Sequence, residues 1–323
     1  MSFTTPAIDD DSAAIVADPI ATFAVPLPLD APLAHAVVGL GRFGCVHARK
    51  LLALSGFHLR ALVDCSSSAR AASELAALPL LPSLDDLPPG IASVTVATSD
   101  DAHAEVAMAL MRRGCHVLVE KPLCIDRHEG ALMIRTARQC GVTLSTGHIE
   151  RFNPVFDEAV LIRLRNAAAS HSRGQQGRRP FMRFRRYSTR VATARDSVLD
   201  LMVHDIDLFA WLCAISVDAP LEVITRHIGA RSVHARVRLG GLVADLESGY
   251  GDMPASGQLQ VCIAGQQQVL DLRSNARHMA AGDDALTRQY QDFRRAIRGE
   301  SKRIASGVDG LVAVTRACQV LQA

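Results

Sequence analysis

Short apolar runs alternate with longer amphipathic stretches between residues 34 and 150. The runs have the length of buried β-strands, whereas the stretches between them repeat apolar residues at the spacing of one helix face. Strands that alternate with helices are joined by right-handed crossovers and form a parallel sheet that helices cover on both faces. The pattern predicts a doubly wound α/β domain over residues 34–150, with one of its helices in ARAASELAAL.

The alternation changes after His148. A helix is expected in RFNPVFDEAVLIRLRN, where Asn153 is the predicted N-cap and Pro154 the first helical residue. A strongly apolar helix is expected in DSVLDLMVHDIDLFAWLCAI, and strand-like runs follow between residues 221 and 272 at spacings typical of an antiparallel sheet. Residues 151–323 are predicted to form an α+β domain with a large open, mostly antiparallel sheet, whose C-terminal helices pack back towards the first domain.

The composition narrows the class of protein. A chain of 323 residues is long enough for two domains, and its formal net charge of +2 gives no electrostatic reason to expect nucleic acid or a membrane as a partner. Eight cysteines are scattered without a CxxC pair or a Cys/His cluster, so neither a metal site nor a disulfide framework is expected, and a cytoplasmic location fits best. Residues 1–33 contain five aspartates and no lysine or arginine, and are predicted to be a flexible tail.

A glycine turn joins the first predicted strand to the first helix. The sequence VVGLGRFG places Gly39, Gly41 and Gly44 in the G-x-G-x-x-G spacing, which allows a tight turn, close approach of a pyrophosphate and close packing of the helix. Asp64 ends the second strand, where a carboxylate accepts hydrogen bonds from the adenosine ribose of NAD. Arg42 leaves NADP as an alternative, and FAD or S-adenosylmethionine also bind to this architecture.

Polar side chains follow two later strands of the predicted sheet. Thr98, Ser99 and Asp100 end one strand, while Glu120 and Lys121 end the next, HVLVEKP. Because ligands of such sheets bind outside the carboxyl ends of the strands, these side chains are expected to face the cofactor, together with His103 at the start of the following helix. Lys121 is then placed to stabilise a developing oxyanion.

Asp200 and His204 lie four residues apart in DLMVHDIDL. In an α-helix this spacing places both on one face, where the carboxylate can orient the imidazole of a general base. A satisfied pair within the core is the alternative interpretation, and Asp205 and Asp207 are expected to be caps or salt-bridge partners. Oxidation of a secondary alcohol needs such a base and a nearby cation, so Lys121, Asp200 and His204 are the predicted catalytic residues.

Arginines are concentrated between residues 173 and 195, in a segment without aspartate or glutamate. An anion such as a sugar-nucleotide diphosphate would find donors there, and a solvated basic loop is the alternative. Arg190 and Arg195, with Arg151 and Asn153 at the start of the second domain, are the candidate substrate-binding residues. The arginines of the segment are Arg173, Arg178, Arg179, Arg183, Arg185, Arg186, Arg190 and Arg195.

Four ordered motifs, VVGLGRFG, EKPLC, GHIERFNP and LDLMVHDIDL, resemble those of the Gfo/Idh/MocA family of sugar and cyclitol dehydrogenases. The resemblance covers roughly residues 34 to 322. It implies an NAD-binding Rossmann domain followed by a domain with a large open sheet, and a homodimer or homotetramer formed through that sheet. It also implies a cis bond between Lys121 and Pro122 and assigns Lys121, Asp200 and His204 to catalysis.

The resemblance implies the cofactor contacts as well. This chain has Thr98-Ser99-Asp100 where many members have Thr-Pro-Asn, which adds a carboxylate beside the cofactor. The implied contacts are Gly39, Gly41, Arg42, Phe43, Gly44, Asp64, Thr98, Ser99, His103, Glu120 and Lys121.

Within the family, the motifs are most similar to the branch that oxidises the 3-hydroxyl of UDP-N-acetylglucosamine and supplies a partner aminotransferase. The resemblance therefore implies an NAD(P)-dependent dehydrogenase acting on a nucleotide sugar. An inositol or free-sugar dehydrogenase of the same family is one alternative, and a non-catalytic NAD-binding sensor or regulatory protein is another.

Overall fold

The computed structural model describes residues 31–66, 75, 78–174, 181–190, 192–251, 253–263, 266–274, 284–301 and 303–322. Most of the predicted helix ARAASELAAL and nearly all of the predicted N-terminal tail lie outside these residues. Leu33, which was assigned to the tail, already begins the first strand.

The first sheet is the predicted doubly wound parallel sheet. Within the described residues, its seven strands follow the order β13-β6-β5-β4-β1-β2-β3, and all neighbours are parallel except β13, which pairs antiparallel with β6. The strands are β1 (Leu33–Val38), β2 (Phe57–Val63), β3 (Leu80–Leu81), β4 (Ser93–Val96), β5 (His116–Val119), β6 (Leu144–Thr146) and β13 (Ala305–Ser306).

Helices pack on this sheet as the apolar periodicity predicts. They are α1 (Arg42–Leu52), α2 (His103–Arg112) and α3 (Arg127–Cys140), with short 3₁₀ turns at Leu84–Asp86, Asp100–Ala102 and Ile149–Phe152. All four residues of β4 and of β5 are buried, as expected for central strands covered on both faces. The carboxyl ends of β1, β4 and β5 therefore meet at one edge of the sheet.

The second sheet is mostly antiparallel and has the order β12-β11-β7-β10-β9-β8 in the described part of the chain. Only the β7–β10 pair is parallel there. One face packs on an apolar core that includes Phe184, Phe209 and Leu246, while the other face carries polar and charged residues. The strands are β7 (Met182–Ser188), β8 (Leu221–Ile228), β9 (Ser232–Leu239), β10 (Leu242–Tyr250), β11 (Ser256–Ile263) and β12 (Gln266–Asp271).

The helices of the second half are α4 (Glu158–Gly174), α5 (Ala194–Asp196), α6 (Val203–Leu212), α7 (Ala285–Ile297) and α8 (Gly307–Gln322), with a 3₁₀ turn at Leu272–Ser274. A π-helix, Ser197–Met202, joins α5 to α6 without a break. Helix α7 packs against α1, and α8 packs against α3, α6 and β6. The described helices include none long and apolar enough to cross a membrane.

The predicted start of α4 at Pro154 is wrong, because the helix begins at Glu158. Tertiary contacts hold Asn153 outside the helix: its side-chain amide donates to the Leu272 carbonyl at 2.6 Å. The carboxylate of Asp157 instead accepts from the N–H of Val160 at 2.7 Å, which caps the first turn.

Candidate active site

A cleft of about 790 Å³ opens where β1, β4 and β5 end and faces the segment that leads into α6. Its volume lies in the range of small-molecule and cofactor sites, roughly 300–1,000 Å³. Of the predicted site residues, the cleft wall contains Gly39, Gly41, Arg42, Phe43, Asp64, Thr98, Ser99, His103, Glu120, Lys121, Arg190 and Asp200.

The glycine turn fits a dinucleotide. Gly39 has φ +89°, and a Cβ there would lie 2.5 Å from the Ala97 carbonyl oxygen, so only glycine is accommodated. Gly44 lies under the turn, where a Cβ would be 1.8 Å from the Gly39 carbonyl oxygen. A Cβ on Gly41, by contrast, would meet open space, and no side chain caps the start of α1. The first N–H groups of α1 are therefore accessible to a phosphate, which is the geometry that NAD requires.

Asp64 fixes the loops on which the adenosine half would lie. One carboxylate oxygen accepts from the Leu40 N–H at 2.6 Å, and the other accepts from the Ser66 N–H at 2.7 Å. Each oxygen has further acceptor capacity, so the carboxylate can also receive the ribose hydroxyls.

Lys121 reaches across the cleft to the second half of the molecule. Its ammonium group donates to the Asp200 carboxylate and, at 3.1 Å, to the Asp200 carbonyl oxygen. Tyr250, at the end of β10, donates its hydroxyl to the same carboxylate at 2.5 Å, and Arg190 lies 3.4 Å away. Burial raises the pKa of Asp200, but Lys121, Tyr250 and Arg190 together outweigh burial and hold it below the usual value.

The predicted Asp200–His204 contact is wrong: the described partners of the Asp200 carboxylate are Lys121, Tyr250 and Arg190. Asp200 lies in the π-helix, where the Val203 N–H donates back five residues to Val198. His204 lies in the α-helix that follows, so the two residues do not belong to one regular α-helix, for which the spacing rule was stated.

His204 is 9% exposed and lies within range of the Lys121 charge. It is not part of the cleft wall itself. Burial, followed by the charges of Lys121 and Arg186, holds the pKa of His204 well below its ordinary value. Its Nδ1 has no hydrogen-bond partner among the described residues, and its ring stands edge-on to His148 at 6.0 Å between centroids. The imidazole is therefore neutral near pH 7 and able to accept a proton.

Glu120 has a different role from its neighbour Lys121. One oxygen lies 2.8 Å from Nε2 of His47 on α1, and the other accepts the Lys121 backbone N–H at 3.2 Å. Burial raises the pKa of Glu120, yet the His47 hydrogen bond and the Lys121 charge bring it below the usual value. Glu120 is thus an ionised carboxylate that joins α1 to the end of β5.

A side chain of α2 hydrogen-bonds the loop that follows β5. The Lys121–Pro122 peptide bond is cis, as the family resemblance implies. Nδ1 of His103 hydrogen-bonds the Pro122 carbonyl oxygen at 2.8 Å, while its buried Nε2 has no partner among the described residues. Asp100 lies on the cleft wall, and burial raises its pKa. His103 therefore fixes the loop that carries Lys121, and Asp100 contributes a carboxyl group to the cleft wall.

Two predicted substrate residues lie away from the cleft. Arg151 is buried and donates two hydrogen bonds to Asp207, at 2.6 and 2.8 Å. Asn153 is also buried, and its side-chain amide donates to the Leu272 carbonyl oxygen and to the Glu150 carboxylate. Both side chains therefore stabilise the junction between the halves rather than line the site.

The arginines between residues 173 and 195 also differ in whether they reach the cleft. Arg183 pairs with Asp245, Arg185 with Glu247, and Arg186 with Asp205 and Glu150. Arg190 remains on the cleft wall, whereas Arg195 is exposed outside it. The side chains of Arg173, Arg178 and Arg179 lie outside the described residues.

Two further outcomes concern residues near Lys121 and Asp200. Asp205 and Asp207 are salt-bridge partners, of Arg186 and Arg151, as predicted. Tyr250 was not predicted from the sequence, because nothing local distinguishes this strand residue 50 positions beyond Asp200. Among the described residues, no group of three or more histidine, cysteine, aspartate or glutamate side chains is placed to hold a metal ion.

Comparison with known proteins agrees with this geometry. Residues 33–148 match the Gfo/Idh/MocA family, described as an oxidoreductase family with an NAD-binding Rossmann fold. The chain is 27% identical to UDP-N-acetylglucosamine 3-dehydrogenase of Acidithiobacillus ferrooxidans over 315 residues, which cover 88% of this chain and 95% of the relative. A solved structure of that enzyme superposes with a TM-score of 0.69 at 24% identity, covering 89% of this chain and 96% of that one.

Two further similar proteins are also dehydrogenases. The myo-inositol dehydrogenase Hyg17 of Streptomyces leeuwenhoekii is 31% identical over 185 residues, 55% of this chain and 54% of the relative. The WlbA dehydrogenase of Bordetella pertussis, solved in complex with NADH and UDP-GlcNAcA, has the same fold, with a TM-score of 0.70 at 17% identity over 92% of this chain and 97% of that one.

Proposed function

Because its nucleotide-binding domain belongs to the Gfo/Idh/MocA oxidoreductases, we propose that this protein oxidises a secondary ring hydroxyl of a sugar, with NAD as hydride acceptor. One observation carries the proposal. Lys121, at the end of β5, contacts Asp200 of the other half, and both line the cleft with the glycine turn. A cation and a carboxylate thus face the point where substrate and cofactor would meet, and the buried imidazole of His204 lies within range of the Lys121 charge.

Oxidation of a secondary alcohol removes a proton from the hydroxyl group and a hydride from the carbon. The nicotinamide ring of bound NAD supplies the hydride acceptor. The residues of the chain handle the proton and the developing negative charge on oxygen, which are the tasks of a general base and an electrostatic stabiliser.

We assign these tasks to three residues. His204 accepts the hydroxyl proton, because its depressed pKa leaves the imidazole unprotonated near pH 7. The Lys121 ammonium group stabilises the developing alkoxide. Asp200 holds Lys121 in the cleft, a role that differs from orienting His204 and that follows from its hydrogen bonds to Lys121 and Tyr250.

A nucleotide sugar is the substrate class we propose first. The relative that matches most of this chain is named for UDP-N-acetylglucosamine as its substrate, and a nucleotide sugar is bound in the WlbA structure. Arg190 on the cleft wall, 61% exposed, is placed to meet an anionic group of such a substrate. A homo-oligomer, a cytoplasmic location and a pathway aminotransferase as partner remain predictions.

An inositol or free sugar is the second candidate. The 31% identity to a myo-inositol dehydrogenase favours it, and so does the pairing of Arg183, Arg185 and Arg186 with carboxylates, which leaves few cations for a diphosphate. A non-catalytic NAD-binding protein would need neither Lys121 nor His204 in this arrangement.

The test is NADH formation, followed by absorbance, with a panel of UDP-sugars, free sugars and inositols, each with NAD and with NADP. Turnover of UDP-N-acetylglucosamine with kcat/KM above that of the neutral substrates supports the first candidate. Preference for an inositol or a free sugar supports the second. Tight NAD binding without turnover of any substrate would contradict a dehydrogenase.

A further inference from the structure

A continuous series of hydrogen bonds runs from Glu120 at the cleft into the core of the first sheet. Nε2 of His47 lies 2.8 Å from Glu120, and Nδ1 of the same ring lies 2.8 Å from the Tyr290 hydroxyl. His47 belongs to α1, immediately after the glycine turn, whereas Tyr290 belongs to α7 near the end of the chain. Three distant segments therefore meet at one histidine.

The series continues behind Tyr290. Its hydroxyl lies 2.9 Å from Oγ1 of Thr95, which in turn lies 2.9 Å from Nε2 of His35. Nδ1 of His35 ends the series 2.7 Å from the Ser93 hydroxyl. Tyr290, Thr95, His35 and Ser93 are all fully buried, so each of these polar groups depends on its neighbours for a partner.

The donor and the acceptor of each hydrogen bond in the series follow from the protonation states of its members. Burial lowers the pKa of His35 to about 3, and burial raises that of Tyr290, so neither is ionised at neutral pH. A neutral His47 must donate from Nε2 to the Glu120 carboxylate and accept at Nδ1 from Tyr290. The Tyr290 oxygen then accepts from Thr95, Thr95 accepts from Nε2–H of His35, and His35 accepts from the last hydroxyl. Every donor points towards Glu120.

The opposite direction requires a doubly protonated His47, because both its nitrogens would then donate. It also leaves the Ser93 hydroxyl to find a further acceptor in a site without solvent. The presence or absence of a proton on Nδ1 of His47 therefore distinguishes the two arrangements.

We propose that His47 and Tyr290 are positioning residues of the dehydrogenase site. They hold the Glu120 carboxylate in place, and Glu120 accepts the Lys121 backbone N–H, which fixes the residue whose ammonium group contacts Asp200. Gly147 leaves room for this carboxylate, since a Cβ there would lie 2.8 Å from Oε1 of Glu120. The effect on turnover rests on the proposed function, whereas the hydrogen bonding does not.

Tyr290→Phe tests the effect on turnover. The aromatic ring packs edge-on against His35, His47 and Phe57, so the variant keeps its packing and loses only the hydroxyl. We expect kcat to fall about tenfold, with an unchanged KM for NAD. Tyr187→Phe, which removes a hydroxyl bonded to Glu247 on the second sheet, is the matched control and should retain the wild-type kcat. A Tyr290→Phe variant with wild-type kcat would overturn the proposal.

Histidine replacements separate positioning from packing. His47→Gln keeps an amide donor for Glu120, and His47→Leu does not, so the Gln variant should retain more of the wild-type kcat at equal thermal stability. Equal losses of kcat in the two variants would contradict the role of the donor.

The ring nitrogens of His47 are observed by ¹⁵N NMR in the full chain without substrate, with the His47→Gln spectrum providing the assignment. We expect a protonated Nε2 and an unprotonated Nδ1, and a shift of the Nδ1 signal in Tyr290→Phe. An unprotonated Nε2 in the wild type, which could not donate to Glu120, would overturn the proposal. Because no turnover is needed, this measurement supports the hydrogen bonding even where the panel of sugars shows no activity.

Discussion

The ammonium group of Lys121 contacts the carboxylate of Asp200, 79 residues further along the chain, and so joins the parallel sheet to the π-helix of the second half. The Lys121 side chain is 10% exposed and that of Asp200 is 32% exposed, which places the pair on the cleft wall with limited access to water. Partial burial strengthens such a contact relative to an ion pair on the open surface. The pair is therefore the geometric centre of the proposed reaction site.

Lys121→Ala should lower kcat by about 10²-fold or more, because the developing alkoxide loses the ammonium group that stabilises it. The fold and NAD binding should persist, since Asp200 keeps Tyr250 and Arg190 as partners. Steady-state kinetics measures kcat, and calorimetric titration measures NAD binding. The matched control is Lys50→Ala, which breaks another lysine–aspartate contact, with Asp284, and should leave kcat unchanged. Normal turnover by Lys121→Ala would refute its catalytic role.

Tyr250→Phe should reduce kcat by about three- to tenfold, because the Asp200 carboxylate loses one hydrogen-bond donor. Loss of this donor raises the pKa of Asp200, which Tyr250 now helps to depress. Activity that needs ionised Asp200 is lost as the pH falls through its pKa, so the acid side of the kcat profile should move to higher pH in the variant. A pH profile that coincides with that of the wild type would exclude this coupling.

His204→Asn should abolish most turnover, and the wild-type activity should persist below pH 6.5. The reason is that burial and the Lys121 charge lower the pKa of His204, so the proton-accepting form remains populated on the acid side of its ordinary value. Removal of the cation in Lys121→Met should raise the pKa of His204. For His204→Asn, kcat and the melting temperature are both measured. A variant with a lower melting temperature and normal kcat would show that His204 is only a core residue.

Asp64→Ala should weaken NAD binding about tenfold or more, because the Leu40 and Ser66 N–H groups lose their acceptor and the turn loses its ribose contact. Asp64→Asn keeps one side-chain oxygen and should bind with intermediate affinity. Calorimetry gives the dissociation constants. Asp85→Ala, at an exposed ion pair with Arg113, is the control and should bind NAD normally.

His35→Gln should make stability less dependent on pH. The folded protein protonates His35 only near pH 3, whereas the unfolded chain does so near the ordinary pKa of 6.5. Between these values the unfolded state binds more protons, so the free energy of unfolding falls as the pH decreases, by about 1.4 kcal/mol per pH unit for this residue. Urea denaturation at several pH values should show that the variant lacks this contribution. His58→Gln, on the exposed side of β2, should retain the full slope.

The sequence alone determined the features that depend on local patterns. Alternating apolar runs and amphipathic stretches predicted both sheets, because burial of a strand or of a helix face is repeated every few residues. The spacing of Gly39, Gly41 and Gly44 predicted the nucleotide turn, since Gly39 and Gly44 lie where a Cβ would clash with nearby backbone and Gly41 leaves open space above the turn. The end of β5 likewise placed Glu120 and Lys121 at the cleft.

Only the tertiary structure decided which side chains meet. Asp200, in the π-helix, contacts Lys121 and Tyr250, and the buried Arg151 contacts Asp207. The same kind of long-range contact fixed the start of α4 and brought Tyr290 to His47. These contacts join segments that are far apart in the chain, because each buried polar group needs a hydrogen-bond partner wherever packing supplies one. The local periodicity of the sequence does not indicate which residues will pair.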